Sequence, residues 1–128
     1  MDIYPILASK PHNLHYLNRY INFIKQCQQK NIGYEGYVEN HHICPKAKDM
    51  FPEYENFRQH PWNRAVLTAR QHFIAHLILW KSYPVSISCL DAIWGMKCRS
   101  DDIDEKVNSR IYENLKIKSG CSMLRSVS

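Results

Sequence analysis

No stretch of this 128-residue chain approaches the ~20 consecutive apolar residues that a membrane-crossing helix requires. The five cysteines, at positions 27, 44, 89, 98 and 121, are odd in number and contain no C-x-x-C pair. That argues against both a disulfide framework and a cysteine zinc ribbon, and suits reduced thiols in a cytoplasm. The opening MDIYPILASKPHN has neither the charged start and long apolar stretch of a secretory signal nor the Arg-rich amphipathic pattern of an organellar presequence. There is no internal repeat and no low-complexity tract, so a solenoid or a disordered linker is not expected. Acid is in short supply as well: 12 Asp and Glu face 17 Lys and Arg, a formal charge of +5, which favours an anionic partner such as nucleic acid without demanding one.

What is present suits one folded domain, with 45% hydrophobic and 23% charged residues. Leu14, Leu17, Ile21, Ile24 and Cys27 recur at spacings of three and four, which predicts an amphipathic helix over 14–30. Pro11 and Asn13 mark its start, Asn31 and Gly33 its end. Gly36 to Ile43 reads as a strand stopped by Pro45. Residues 45–62 spread Pro45, Pro52 and Pro61 among polar residues, which predicts an irregular loop pinned by Met50, Phe51, Tyr54, Phe57 and Trp62. Ala65-Val66-Leu67 is a second short strand. Thr68 to Gln71 has the T-x-x-Q form of a capping box, so a helix is predicted from Ala69 to about Lys81, ended by Tyr83-Pro84. An apolar helix over 85–98 and a charged amphipathic one over 104–118 complete the pattern. The expected organisation is an N-terminal helix within 1–33, a strand-loop-strand-helix core over 34–83 and a helical extension over 84–128, an α+β arrangement.

Four of the seven histidines fall where chemistry wants them. His72 and His76, four apart on a helix, share a face and can converge on one metal ion; packing beside an apolar face is the alternative for such a pair. His41 and His42, adjacent on a strand, point to opposite sides, so one can ligate while the other stays free as a base near neutral pH. Glu39 shares a strand side with His41, where it either orients a ligand, pairs with Arg70 or is a plain solvated carboxylate.

Taken together, ENHHICP (Glu39, His41, His42, Ile43, Pro45) and NRAVLTARQHFIAH (Asn63, Leu67, Thr68, Ala69, Arg70, His72, Ala75, His76) resemble the HNH endonucleases, in particular the free-standing phage homing type. The preceding helix and NSRIYENLK at 108–116 look like flanking parts of such proteins. The loop between His42 and Asn63 departs from compact members in its length and lacks their Gly-Gly turn. The resemblance implies a ββα-metal (His-Me finger) core with flanking N- and C-terminal helices. By position it makes His41 and His72 metal ligands and His76 a third, His42 the general base, and Asn63 the residue that holds the intervening loop and base. One divalent ion is implied, with magnesium, manganese, zinc or nickel all compatible with histidine donors. Double-stranded DNA is the expected partner, in the cytoplasm of a host cell if the chain is phage-encoded.

Arg64, Arg70 and Lys81 are expected to border the site, where each either holds the DNA backbone or is a solvated cation. From Lys106 to Ser128, five basic residues (Lys106, Arg110, Lys116, Lys118, Arg125) face one acid, Glu113, which suits further phosphate contact, Lys106 and Arg110 foremost. The rival reading is a DNA-binding or interaction module whose histidines hold a structural zinc. A closed site of four protein ligands would favour it, an open coordination position the enzyme.

Overall fold

A computed structural model of the chain describes residues 2–99, with side chains through 96. The elements run α1 (Tyr4–Leu7), α2 (Leu14–Lys30), β1 (Glu39–His42), 3-10 turns at Pro52–Tyr54 and Pro61–Asn63, β2 (Arg64–Leu67), α3 (Ala69–Ser82) and α4 (Ile87–Arg99). Among the described residues the result is a mixed α+β fold with one two-stranded antiparallel sheet. By contacts the chain divides into a compact unit, Met1–Ile93, and a second that starts at Trp94. The described part of the second is the last turns of α4, and Lys106, Arg110 and the helix expected over 104–118 lie outside the described residues.

The predicted 14–30 helix is α2. Asn13 caps it, its side chain accepting from the Tyr16 amide at 3.1 Å, and the Asn31 amide closes the far end on the Cys27 carbonyl. Gly33, at φ +75°, takes the left-handed conformation that lets the chain turn away. Leu17, Tyr20, Ile21, Ile24 and Cys27 are buried, but Leu14 is 53% exposed. At 100° per residue, Leu14 sits roughly 80° from the centre of the buried arc, on its rim, and it belongs to the first turn.

α2 lies antiparallel to α3. The Asn13 amide donates to the Ser82 carbonyl at 2.7 Å at one end. At the other, Asn31 Nδ2 donates to the Val66 carbonyl and to Gln71 Oε1, both at 2.8 Å. α3 starts where the T-x-x-Q pattern puts it, with both bonds of the Thr68–Gln71 capping box made. It runs to Ser82, one residue beyond the expected end, and stops at Tyr83 before Pro84.

β1 is shorter than the strand expected over 36–43. It pairs Glu39 with Leu67, Asn40 with Val66, His41 with Ala65 and His42 with Arg64. Its partner is the limit: β2 gives way to the Thr68 cap of α3, so Tyr37 and Val38 have nothing to pair with. The connecting loop is pinned as expected by Met50 and Phe51, both buried, and by Tyr54 and Trp62 packed against the core. Cys27 and Cys44 are buried free thiols, and Cys89 is buried as well. Among the described residues no helix is long and apolar enough to cross a membrane.

Candidate metal centre

Strand alternation separates the two adjacent histidines. His41 is 1% exposed and its ring meets those of His72 and His76 with centroids 5.1 and 5.0 Å away; the His72 and His76 centroids are 4.9 Å apart. One nitrogen from each of the three rings lies within 4.8 Å of the others. Among the described residues this is the cluster of His, Cys and carboxylate groups able to hold a metal ion. The i, i+4 spacing on α3 and the inward side of β1 together produce it.

The donor set suits an ion. His41 Nδ1 is buried with no hydrogen-bond partner, a condition that folds avoid unless something else satisfies the atom. Burial, and then the neighbouring His76 and His72, hold the His41 pKa well below its ordinary value. Burial, and then the neighbouring His72 and His42, bring His76 down to about 3. Both are therefore neutral at pH 7, the state a ligand needs. Glu39 Oε1 accepts from His72 Nδ1 at 2.7 Å, so the His72 proton sits on Nδ1 and the lone pair on Nε2. Glu39 also accepts from the Tyr37 hydroxyl at 2.7 Å, and the His72 and Tyr37 hydrogen bonds lower its pKa below the usual carboxylate value. Of the roles open to Glu39, orienting a histidine is the one its geometry shows. Arg70 is exposed on the first turn of α3, two residues and so about 200° around the helix from His72, and forms no ion pair with Glu39.

His42 lies on the other side of β1, its ring stacked on Phe57 with centroids 4.1 Å apart and planes 23° from parallel. Its Nε2 is 2.9 Å from the Glu55 carbonyl, which can only accept, so Nε2 carries the proton and Nδ1 the lone pair. Burial lowers its pKa, against the raising effect of that hydrogen bond. His42, His72 and His76 nevertheless line one cavity of about 420 Å³, with Lys46 and Asn40 among its polar walls and Leu79 among its apolar ones.

Asn63 is wholly buried at the end of the second 3-10 turn. Its Oδ1 accepts from the Cys44 amide at 2.6 Å, and its Nδ2 donates to the carbonyls of Tyr54 and Cys44 at 3.0 and 3.3 Å. It thereby ties the end of β1 to the loop that presents Glu55 and Phe57 to His42.

Of the basic residues, Arg64 stands directly across the ladder from His42 and is exposed. Lys81 is placed elsewhere than expected. Its Nζ lies 5.3 Å from the Tyr16 ring and 5.8 Å from the Trp80 ring, and nine residues along a helix put it about 180° around from His72.

A probable mobile endonuclease E of Enterobacteria phage T4 is 36% identical to this chain over 106 residues, covering 80% of this chain and 68% of that protein. The chain belongs to the phage mobile endonucleases. No family model matches it, and no solved structure does.

Tyr20, Glu55 and Phe57 contact the histidines of this mobile endonuclease, Tyr37 contacts Glu39 beside them, and none of the four was singled out as a site residue by the sequence. For Tyr20 a signal existed: it interrupts an aliphatic stripe, and a buried tyrosine needs a partner for its hydroxyl. Burial holds its phenol well above the ordinary pKa, hence protonated. The other three lie in irregular chain, where spacing carries no information about contacts.

Proposed function

We propose that this mobile endonuclease is a metal-dependent DNA endonuclease of the HNH, ββα-metal type, a homing-type enzyme that nicks or cuts duplex DNA by a one-metal, histidine-base mechanism. The observation that carries the reading is the division of labour within one strand: His41 turns in to meet His72 and His76, while His42 turns away yet shares a cavity with both. β1, β2 and α3 are the two strands and the helix of such a core.

His41, His72 and His76 would hold one divalent ion. Bound there, it would supply positive charge to offset the negative charge that develops as the phosphodiester is cleaved. His42 Nδ1, left with a lone pair by the bond from Nε2–H to Glu55, takes the proton of the attacking water as its oxygen bonds to phosphorus and the bond to the 3′ oxygen breaks. The stacked Phe57 ring and the Glu55 carbonyl keep the imidazole from rotating. Arg64, exposed opposite His42, and Lys46, in the cavity wall, would hold the DNA backbone. Among the described residues the donors number three, where a closed structural zinc site would take four protein ligands, and this favours the enzyme reading.

Supercoiled plasmid incubated with the full chain, with and without chelator, tests the proposal. Nicked or linear product is expected with added divalent metal and none with chelator, with activity returning when metal is resupplied. Cleavage that ignores the chelator would remove the metal from the mechanism. Metal uptake without any cleavage would favour the structural zinc.

A further inference from the structure

We infer that Tyr20, supplied by α2 rather than by the strand-loop-helix segment that carries the histidines, is a positioning residue of the metal site: its hydroxyl fixes the tautomer of His41 and leaves Nδ1 as the ligand atom. This deepens the metal-site reading above and rests on it.

The argument is one of hydrogen-bond direction. The Tyr20 hydroxyl is 2.6 Å from the Ile43 carbonyl oxygen, which can only accept, so its single proton is committed there. The same oxygen is 2.8 Å from His41 Nε2 and must accept from it. A neutral imidazole carries one N–H, and here it sits on Nε2. Nδ1 is then a bare lone pair, and it is the buried atom that finds no hydrogen-bond partner among the described residues. In the other tautomer, the lone pairs of Nε2 and the Tyr20 oxygen would face each other, so the fold disfavours it. Tyr20 itself is 0% exposed, with its ring packed edge-on to His41 at 6.1 Å, and has no freedom to turn the hydroxyl elsewhere.

Two ligands of the site are thus oriented by outside groups: His72 by Glu39 of β1 and His41 by Tyr20 of α2. Metal affinity should therefore depend on how α2 is docked, although α2 offers no ligand. Hydrogen bonds of this kind to a ligating histidine are worth 10- to 100-fold in metal affinity, as an order of magnitude.

The test has two arms, both on the full chain. In the metal-free wild-type protein, ¹⁵N imidazole spectra, with His41 assigned by the loss of its signals in His41→Gln, should report the Nε2–H tautomer. An Nδ1–H tautomer overturns the inference, and this arm needs no variant at the hydroxyl. In the second arm, zinc affinity is measured by competition with a chromophoric chelator for wild type, Tyr20→Phe and Tyr83→Phe. Tyr83 is the matched control, buried and donating to the Leu7 carbonyl at 2.6 Å but to no histidine. Tyr20→Phe should bind zinc roughly 10- to 100-fold more weakly, with Tyr83→Phe unchanged from wild type. Equal affinity for both variants overturns the inference. Zinc uptake that fails in the wild-type protein refutes the metal reading instead, and the tautomer spectrum still decides what Tyr20 does to His41.

Discussion

Replacing Asn63 by Ala should cost both stability and catalysis, through one set of hydrogen bonds. The side chain is wholly buried, and its three bonds join the Cys44 amide, the Cys44 carbonyl and the Tyr54 carbonyl. Alanine leaves the Cys44 amide, buried in the core, without an acceptor, and the Tyr54 carbonyl without this donor. At about 1–3 kcal/mol for each of these two buried groups left unsatisfied, a loss of roughly 2–6 kcal/mol follows. For a chain of this size that lowers the melting temperature by about 8–24 °C. The catalytic consequence travels by the loop: Tyr54 adjoins Glu55, whose carbonyl holds His42, and Phe57 stacks on the same ring. Loosening the loop lets the imidazole leave its productive orientation, so turnover should fall by about 10²-fold or more. Zinc affinity should be nearly unchanged, because His41, His72 and His76 are held by other partners. Asn63→Asp separates the contributions. It keeps the acceptor for the Cys44 amide but sets a carboxylate against two carbonyls, so it should be no more stable than the alanine variant. Thermal melts of the chelated protein, a plasmid-nicking time course and a zinc titration measure the three quantities. An Asn63→Ala protein within about 0.5 kcal/mol of wild type, or one that nicks at the wild-type rate when folded, would refute this account of the loop.

Removing the His42 imidazole with alanine should lower the nicking rate by about 10²–10⁴-fold while zinc affinity stays within a few-fold of wild type; loss of the metal as complete as in His41→Ala would reverse the two assignments. His72→Ala should weaken zinc binding and abolish the rise in melting temperature that zinc gives the wild-type protein, since a ligand bound to the folded form alone stabilises it; unchanged zinc stoichiometry would rule His72 out. Stability of the metal-free protein should fall as pH drops below about 6.5, because His41 and His76 have folded pKa values below the unfolded one. The unfolded chain then binds the protons, and each histidine kept neutral removes up to about 1.4 kcal/mol per pH unit, less for the partly exposed His76, whose window extends down to about pH 3. Urea midpoints between pH 7.5 and 5.0 that stay level would contradict this.

Local signals were enough to place most elements from the sequence. The capping residues Asn13 and Thr68, the break at Pro84 and the three- and four-residue spacing on α2 act within a few residues, so the chain order shows them. The opposite orientations of His41 and His42 follow from the strand period, and the shared face of His72 and His76 from the helix period. What the sequence left open was set by contacts between distant segments. Leu14 fits the apolar pattern yet lies at the rim of the buried arc, and β1 is cut short by the length of its partner. Whether Glu39 would face Arg70 or His72 turned on where α3 docks against β1. The same holds for the hydrogen bond from His41 to Tyr20, 21 residues away in sequence, and for the stacking of His42 on Phe57 across a loop with no regular period. Periodicity assigns a side chain to a face, but which atom of an imidazole is left with a lone pair depends on what the tertiary fold sets against the other.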